Sequence, residues 1–200
     1  MISCVRSGEH ELVVKKSRFL AYSYRIASRD DVKPTVDALK AAHKEARHVC
    51  YGFIADEKGD DFGYDDNGEP SGTAGKPIYS ALASVDARKS LIAVVRYFGG
   101  IKLGAGGLTR AYRQSAAELI EKAGLVTVEK RVTFSLECDG DTYKKAAGIL
   151  RGIGCVVTDI VYGAGVVCTV SAPFDVELAR ALNGLDVRLT YMGENYAERE

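Results

Sequence analysis

Residues 96 to 113 read Arg-Tyr-Phe-Gly-Gly-Ile-Lys-Leu-Gly-Ala-Gly-Gly-Leu-Thr-Arg-Ala-Tyr-Arg. A buried strand that runs through glycines into a helix leaves unpaired N–H groups at the helix's first turn, where the helix dipole favours negative charge. The chemistry this predicts is anion binding. Amides around Gly104, Gly106 and Gly107 would meet the anion together with the cations Arg96, Lys102, Arg110 and Arg113. Tyr97, Phe98 and Tyr112 would supply a stacking or partner surface. The competing reading is packing alone: the glycines let strand and helix approach, and the arginines are solvated. The dinucleotide fingerprint fails, because Gly104-Ala-Gly106 lacks its third glycine at Thr109.

A second segment runs from Asp56 to Pro77. Asp56, Glu57, Asp60, Asp61, Asp65, Asp66 and Glu69 are close enough in sequence to hold a hard cation through oxygen ligands. The EF-hand spacing is absent, since Gly63 stands where a ligand is needed, and a solvated loop is the alternative. Gly72-Thr-Ala-Gly-Lys76 suggests a phosphate loop, but the Walker pattern needs glycine at Pro70 and Ser or Thr at Pro77. What remains is Thr73, Lys76 and several open amides suited to an anion or a partner backbone. His48, Asp65, Asp66 and Glu69 are the candidates for a cation or for acid–base work. His48-Val-Cys50 offers two metal ligands, but no second pair follows at zinc-like spacing. No metal, no cofactor and no catalytic residue is expected.

The elements that must position these residues follow from hydropathy. Residues 9 to 26 read as a strand pair turning near Lys16-Ser17, and Ser28 opens a helix that ends near Ala46. Val49 to Ala55 is a strand, Ile78 to Val85 a short helix, Leu91 to Phe98 a buried strand, and Leu108 to Ala123 an amphipathic helix ending at Gly124. After a boundary near Val126 to Arg131 come a strand (132–138), a helix (142–153), a hairpin (156–162 and 165–172), a helix (175–185) and a closing strand (187–192). That order is βαββαβ, so the expectation is an α+β protein of two domains, residues 1–128 and 129–200.

Composition excludes some classes. The chain has 200 residues, is 46% hydrophobic and has formal charge +0, which argues against coating nucleic acid by bulk electrostatics and makes any anion site local. No apolar run approaches the roughly 18 residues of a membrane helix, and the N-terminus lacks a signal-peptide core. The five cysteines include no C-x-x-C pair and read as core residues in a reducing compartment, so a cytoplasmic location is expected.

Three blocks carry a resemblance: His48-Val-Cys-Tyr-Gly52, Asp65-Asp-Asn-Gly-Glu-Pro-Ser-Gly-Thr-Ala-Gly-Lys-Pro77 and Val94-Val-Arg-Tyr-Phe-Gly-Gly-Ile-Lys-Leu-Gly104. Together they resemble the signature of the Impact family. The resemblance implies an N-terminal domain with the fold of ribosomal protein S5 domain 2 and of GHMP-type kinases, followed by a ferredoxin-like domain. Eukaryotic relatives act in translational control. Of the kinase serine pair, Arg110 and Ala111 stand in place. The expected function is a translation-associated regulatory factor that binds RNA or the ribosome through the glycine-rich turn. The alternatives are an enzyme acting on a phosphorylated small molecule and a protein–protein interaction module.

Overall fold

The computed structural model describes residues 1–198 and divides into two compact units, residues 2–127 and a unit from Val128 onward. In the first, β1 (Ile2–Val5), β2 (Gly8–Val14) and β3 (Ser17–Arg25) precede a 3₁₀ turn at Arg29–Asp31 and helix α1 (Val32–Ala42). Then come β4 (His48–Ile54), β5 (Phe62–Asp65), α2 (Gly75–Ser84), β6 (Ser90–Tyr97) and α3 (Gly104–Ala123). The antiparallel sheet has the order β2-β3-β6-β4-β5.

Strand β6 lies at the centre because it is apolar on both faces. Ile92 and Val94 pack with α2 and α3 in one core, and Leu91, Ala93 and Val95 pack with α1 in another. A sheet covered on both sides reads as a continuous apolar run, which is why Leu91 to Val95 shows no alternation. Arg96 continues the Ile92–Val94 side, and Tyr97 continues the α1 side. Across the sheet, Arg96 is flanked by Phe19 on β3 and His48 on β4.

The acidic stretch is more ordered than its composition suggests. Phe62 to Asp65 pairs with β4, and the Phe62 ring stacks on Tyr79 of α2 with centroids 4.7 Å apart. Helix α3 begins at Gly104, four residues before the amphipathic periodicity does.

The second unit runs β7 (Leu125–Cys138), α4 (Gly140–Gly152), β8 (Val156–Tyr162), β9 (Val166–Pro173), α5 (Leu178–Ala181) and β10 (Arg188–Glu198). Its antiparallel strands follow the order β10-β7-β9-β8. Leu136, Leu150, Val170, Leu178 and Leu182 are in its core. Two lengths differ from the sequence expectation. Helix α5 is a single turn, because the chain bends through Asn183 and Gly184 (φ +85). Strand β10 runs past Met192, because a bulge between Tyr191 and Gly193 lets the polar tail keep its pairing with β7.

Candidate functional site

At the end of β6 the side chain of Arg96 enters the α2–α3 side of the sheet and is 6% exposed. A guanidinium there requires a counter-charge, because an unpaired buried ion costs several kcal/mol. Glu69 supplies it at 2.7 Å and is itself buried. Tyr112 of α3 donates its hydroxyl proton to the same Glu69 oxygen at 2.8 Å, and Ser17 Oγ lies 3.4 Å from Arg96 Nη2. Aromatic faces complete the enclosure, with the guanidinium 5.5 Å from the Phe19 centroid and 5.6 Å from that of Phe98. Arg96 Nε is buried without a hydrogen-bond partner among the described residues.

These contacts correct two expectations. Arg96 is not a free phosphate ligand, since its charge is spent inside the protein on Glu69. Tyr112 is fully buried, so its ring does not reach an external base. The three aromatic residues do not form one surface. Tyr97 faces α1, where its hydroxyl meets His43 Nδ1 at 2.9 Å, and only Phe98 stands out, at 53% exposure.

The loop from Asp65 to Gly75 is organised by its own carboxylates. Asp66 accepts N–H bonds from Gly72 (2.7 Å), Ala74 (2.9 Å) and Gly75 (2.8 Å), placing a negative charge at the N-terminus of α2. Burial raises the Asp66 pKa, but the three backbone donors outweigh it and hold the carboxyl below its ordinary value. The place a phosphate would take in a phosphate loop is thus filled by an internal anion. Thr73 is buried and donates its hydroxyl to the Pro70 carbonyl at 2.6 Å, so it does not face a ligand. Lys76 is exposed at the start of α2.

The candidates for cation or acid–base work do not converge. Glu69 and Asp66 are committed as described, and Asp65 Oδ1 accepts the Asn67 N–H at 2.6 Å. His48 Nδ1 donates to the Asn67 carbonyl at 2.9 Å, while Asn67 Oδ1 accepts the Val49 N–H. Among the described residues no three His, Cys, Asp or Glu side chains gather into a metal site. Cys50 lies 3.0 Å from the Asp66 carbonyl and 3.4 Å from the Tyr112 hydroxyl. Burial pushes its thiol up to about 12, so it is neutral and unreactive at pH 7.

The glycine-rich turn is different. Among the described residues no side chain caps the first turn of α3, and Gly104, Gly106, Lys102, Arg110 and Arg113 are exposed, with Gly107 half-buried. The guanidinium of Arg110 folds back along this turn: a Cβ placed on Gly106 would lie 3.6 Å from Arg110 Nη1. Open amides, a positive helix end and a forked cation therefore occupy one surface. Periodicity missed one neighbour. A Cβ on Gly99 would come within 2.0 Å of the Lys16 backbone, so the β2–β3 turn presses directly on the start of this segment. Gly99 N–H also donates to Ser17 Oγ at 3.2 Å. The Gly99-Gly100 pair was the available signal for such a close approach.

The fold and these contacts define a two-unit α+β protein whose N-terminal unit holds a buried ion pair and an open helix N-terminus. The profile of the Impact N-terminal domain matches residues 15–120, and the chain belongs to the Impact family. The IMPACT family member YvyE of Bacillus subtilis is 40% identical over 120 residues, 60% of this chain and 55% of that protein. An IMPACT family member of Haemophilus influenzae is 43% identical over 63% of this chain and 62% of its own length. The matched region thus spans less than two thirds of these two relatives. A crystal structure described as that of a hypothetical protein shares 27% identity, covers 96% of this chain and 98% of its own, and superimposes with a TM-score of 0.60.

Removing one member of the buried pair is expected to be worse than removing both. Glu69→Gln should cost about 3–5 kcal/mol in urea denaturation, and the double variant Arg96→Met with Glu69→Leu should cost less than that. An unchanged denaturation midpoint for Glu69→Gln would contradict the role given to the pair. Asp66 makes a pH-dependent contribution of known sign. Its folded pKa is depressed, so its stabilisation is fully present above the ordinary aspartate value of ~3.9 and is lost as pH falls through the lower folded value. Asp66→Asn removes the charge at the helix end and should therefore be about 1 kcal/mol less stable than the parent at pH 7. The gap should close in strong acid, and a gap independent of pH would contradict the cap.

Proposed function

We propose that this chain is a translation-associated regulatory factor that binds RNA, free or within the ribosome, through the first turn of α3. The observation that carries the reading is the contrast between two helix N-termini in one unit. That of α2 is neutralised by Asp66, whereas that of α3 has no side-chain cap and is exposed beside Lys102, Arg110 and Arg113. Backbone amides and cations of this kind meet phosphates without reading sequence. Membership of the Impact family motivates the link to translation, since the resemblance implies translational control among eukaryotic relatives.

The element order supports the finer assignment of fold. We infer that the N-terminal unit is of the ribosomal protein S5 domain 2 type. The β7-α4-β8-β9-α5-β10 order, with strands arranged β10-β7-β9-β8, supports a ferredoxin-like C-terminal unit. A cytoplasmic site of action fits this function. No helix among the described residues is long and apolar enough to cross a membrane.

A protein partner is favoured by one observation only. Phe98 and Ile101 are exposed, at 53% and 44%, on the segment that leads into α3. An enzyme acting on a phosphorylated metabolite has less support, because Asp66, Glu69 and Thr73 are all engaged internally.

Filter binding to a structured RNA at several salt concentrations tests the reading. Lys102→Ala and Arg110→Ala should each weaken binding across unrelated RNA sequences and each lower the salt slope by about 1. Binding that is unchanged in both variants would refute it. Pull-downs from lysate that survive RNase would favour the protein partner instead.

A further inference from the structure

The turn between β2 and β3 is built from residues that fit it poorly. Val14 pairs directly with Ser17, so Lys15 and Lys16 are the whole loop, and their φ angles are +46° and +67°. Two positive φ values in a two-residue hairpin loop describe a type I′ turn, whose backbone twist suits the strands but which favours Asn-Gly. Lysine carries a Cβ into the left-handed region without the local hydrogen bonding that eases Asn or Asp there. The two turn residues draw no side-chain pairing in return. Both lysines are exposed, and neither ion-pairs nor hydrogen-bonds through its side chain among the described residues. Strain held without a structural return is a pointer to function.

The turn is also held in a definite place. Its backbone lies against Gly99, where a Cβ would come 2.0 Å from Lys16 C, and Ser17 Oγ accepts the Gly99 N–H at 3.2 Å. Lys102 is three residues further along, so its Cα lies within about 11 Å of that contact. Arg18, on the next residue of the hairpin, is already paired with Glu11 at 2.6 Å and adds no free charge. The turn that carries Lys15 and Lys16 therefore packs, at Lys16, against the start of the segment that leads through Lys102 to the open end of α3. A strand whose phosphates repeat every few ångströms can meet both the turn and that end.

We propose that the Lys15–Lys16 turn is a second arm of the α3 site and grips the phosphate backbone of a bound RNA. This rests on the RNA-binding reading above and adds residues and an extent to it: the footprint runs from the hairpin turn to the first turn of α3. The turn thus carries charge at the expense of turn geometry.

That trade gives a test with two opposite readouts. In the full chain, Lys15→Asn with Lys16→Gly installs the preferred turn pair and removes both charges. The expected result is a higher Tm together with about tenfold weaker binding of a 20-base-pair RNA hairpin at 0.15 M KCl, read by fluorescence anisotropy. The salt slope should fall by about 2. Lys15→Gln with Lys16→Gln keeps the poor turn residues and removes the charges, and should weaken binding equally without raising Tm. Lys15→Arg with Lys16→Arg should retain affinity. If the parent protein binds the hairpin and the Asn-Gly and Gln-Gln variants bind it with the same affinity and slope, this proposal is overturned while the α3 site stands. If the Asn-Gly variant alone loses binding, turn geometry rather than charge is responsible, and the proposal is likewise overturned. If the parent protein shows no salt-dependent binding, the RNA reading itself fails.

Discussion

The N-terminal unit is arranged around one buried charge. Arg96 is the penultimate residue of a central strand whose middle, Leu91 to Val95, is apolar, under the layer formed by α2 and α3. Its partner Glu69 sits on a loop, so the loop must cross the end of the sheet and stay there. Once Glu69 is fixed, its neighbours are fixed too. Asp66 is delivered to the amides that open α2, and Asn67 is delivered to Val49 and His48 at the start of β4. Tyr112 ties the same carboxylate to α3. Such an arrangement is easily lost by removing one member, because the partner is then left buried and unpaired.

This locking decides where ligand chemistry remains available. Helix N-termini attract anions; that of α1 follows a turn closed by the Ser28–Asp31 capping box, and the two glycine-rich ones belong to α2 and α3. One has an anion of its own. The acidic, glycine-rich loop that looks like a phosphate loop in one dimension is in three dimensions a carboxylate folded onto its own helix. The other N-terminus carries glycines in place of a capping side chain, and the nearby cations Lys102, Arg110 and Arg113 point to solvent. Electrostatics thus separates two segments that are equally rich in glycine.

Much of this was legible in the sequence, and the failures have physical causes. The central strand, the long helix ending at Gly124 and the βαββαβ order of the second unit all follow from periodicity and turn residues. From sequence alone Arg96 reads as a phosphate ligand, because period-two alternation gives a face but not what covers it; only the fold shows Glu69 arriving from 27 residues away. Tyr112 could have been placed correctly, since it lies four residues after Leu108 on the apolar stripe of α3. Strand β5 was hidden because Phe62-Gly-Tyr-Asp sits among carboxylates, and its pairing depends on β4 and on Tyr79 beneath it. The Lys15–Lys16 turn carried no signal of its left-handed geometry, because its residues are not the ones such turns prefer.

The central claim is that α3, and not α2, presents the unit's open anion site. Backbone amide shifts of the ¹⁵N-labelled full chain, followed while an RNA hairpin is titrated in, test it most directly. The account predicts saturable shifts at Gly104 to Gly107 and at Lys102, with Gly72, Ala74 and Gly75 unmoved because Asp66 holds them. Shifts centred on residues 72 to 75, or none at 104 to 107 under conditions where RNA binds, would contradict it.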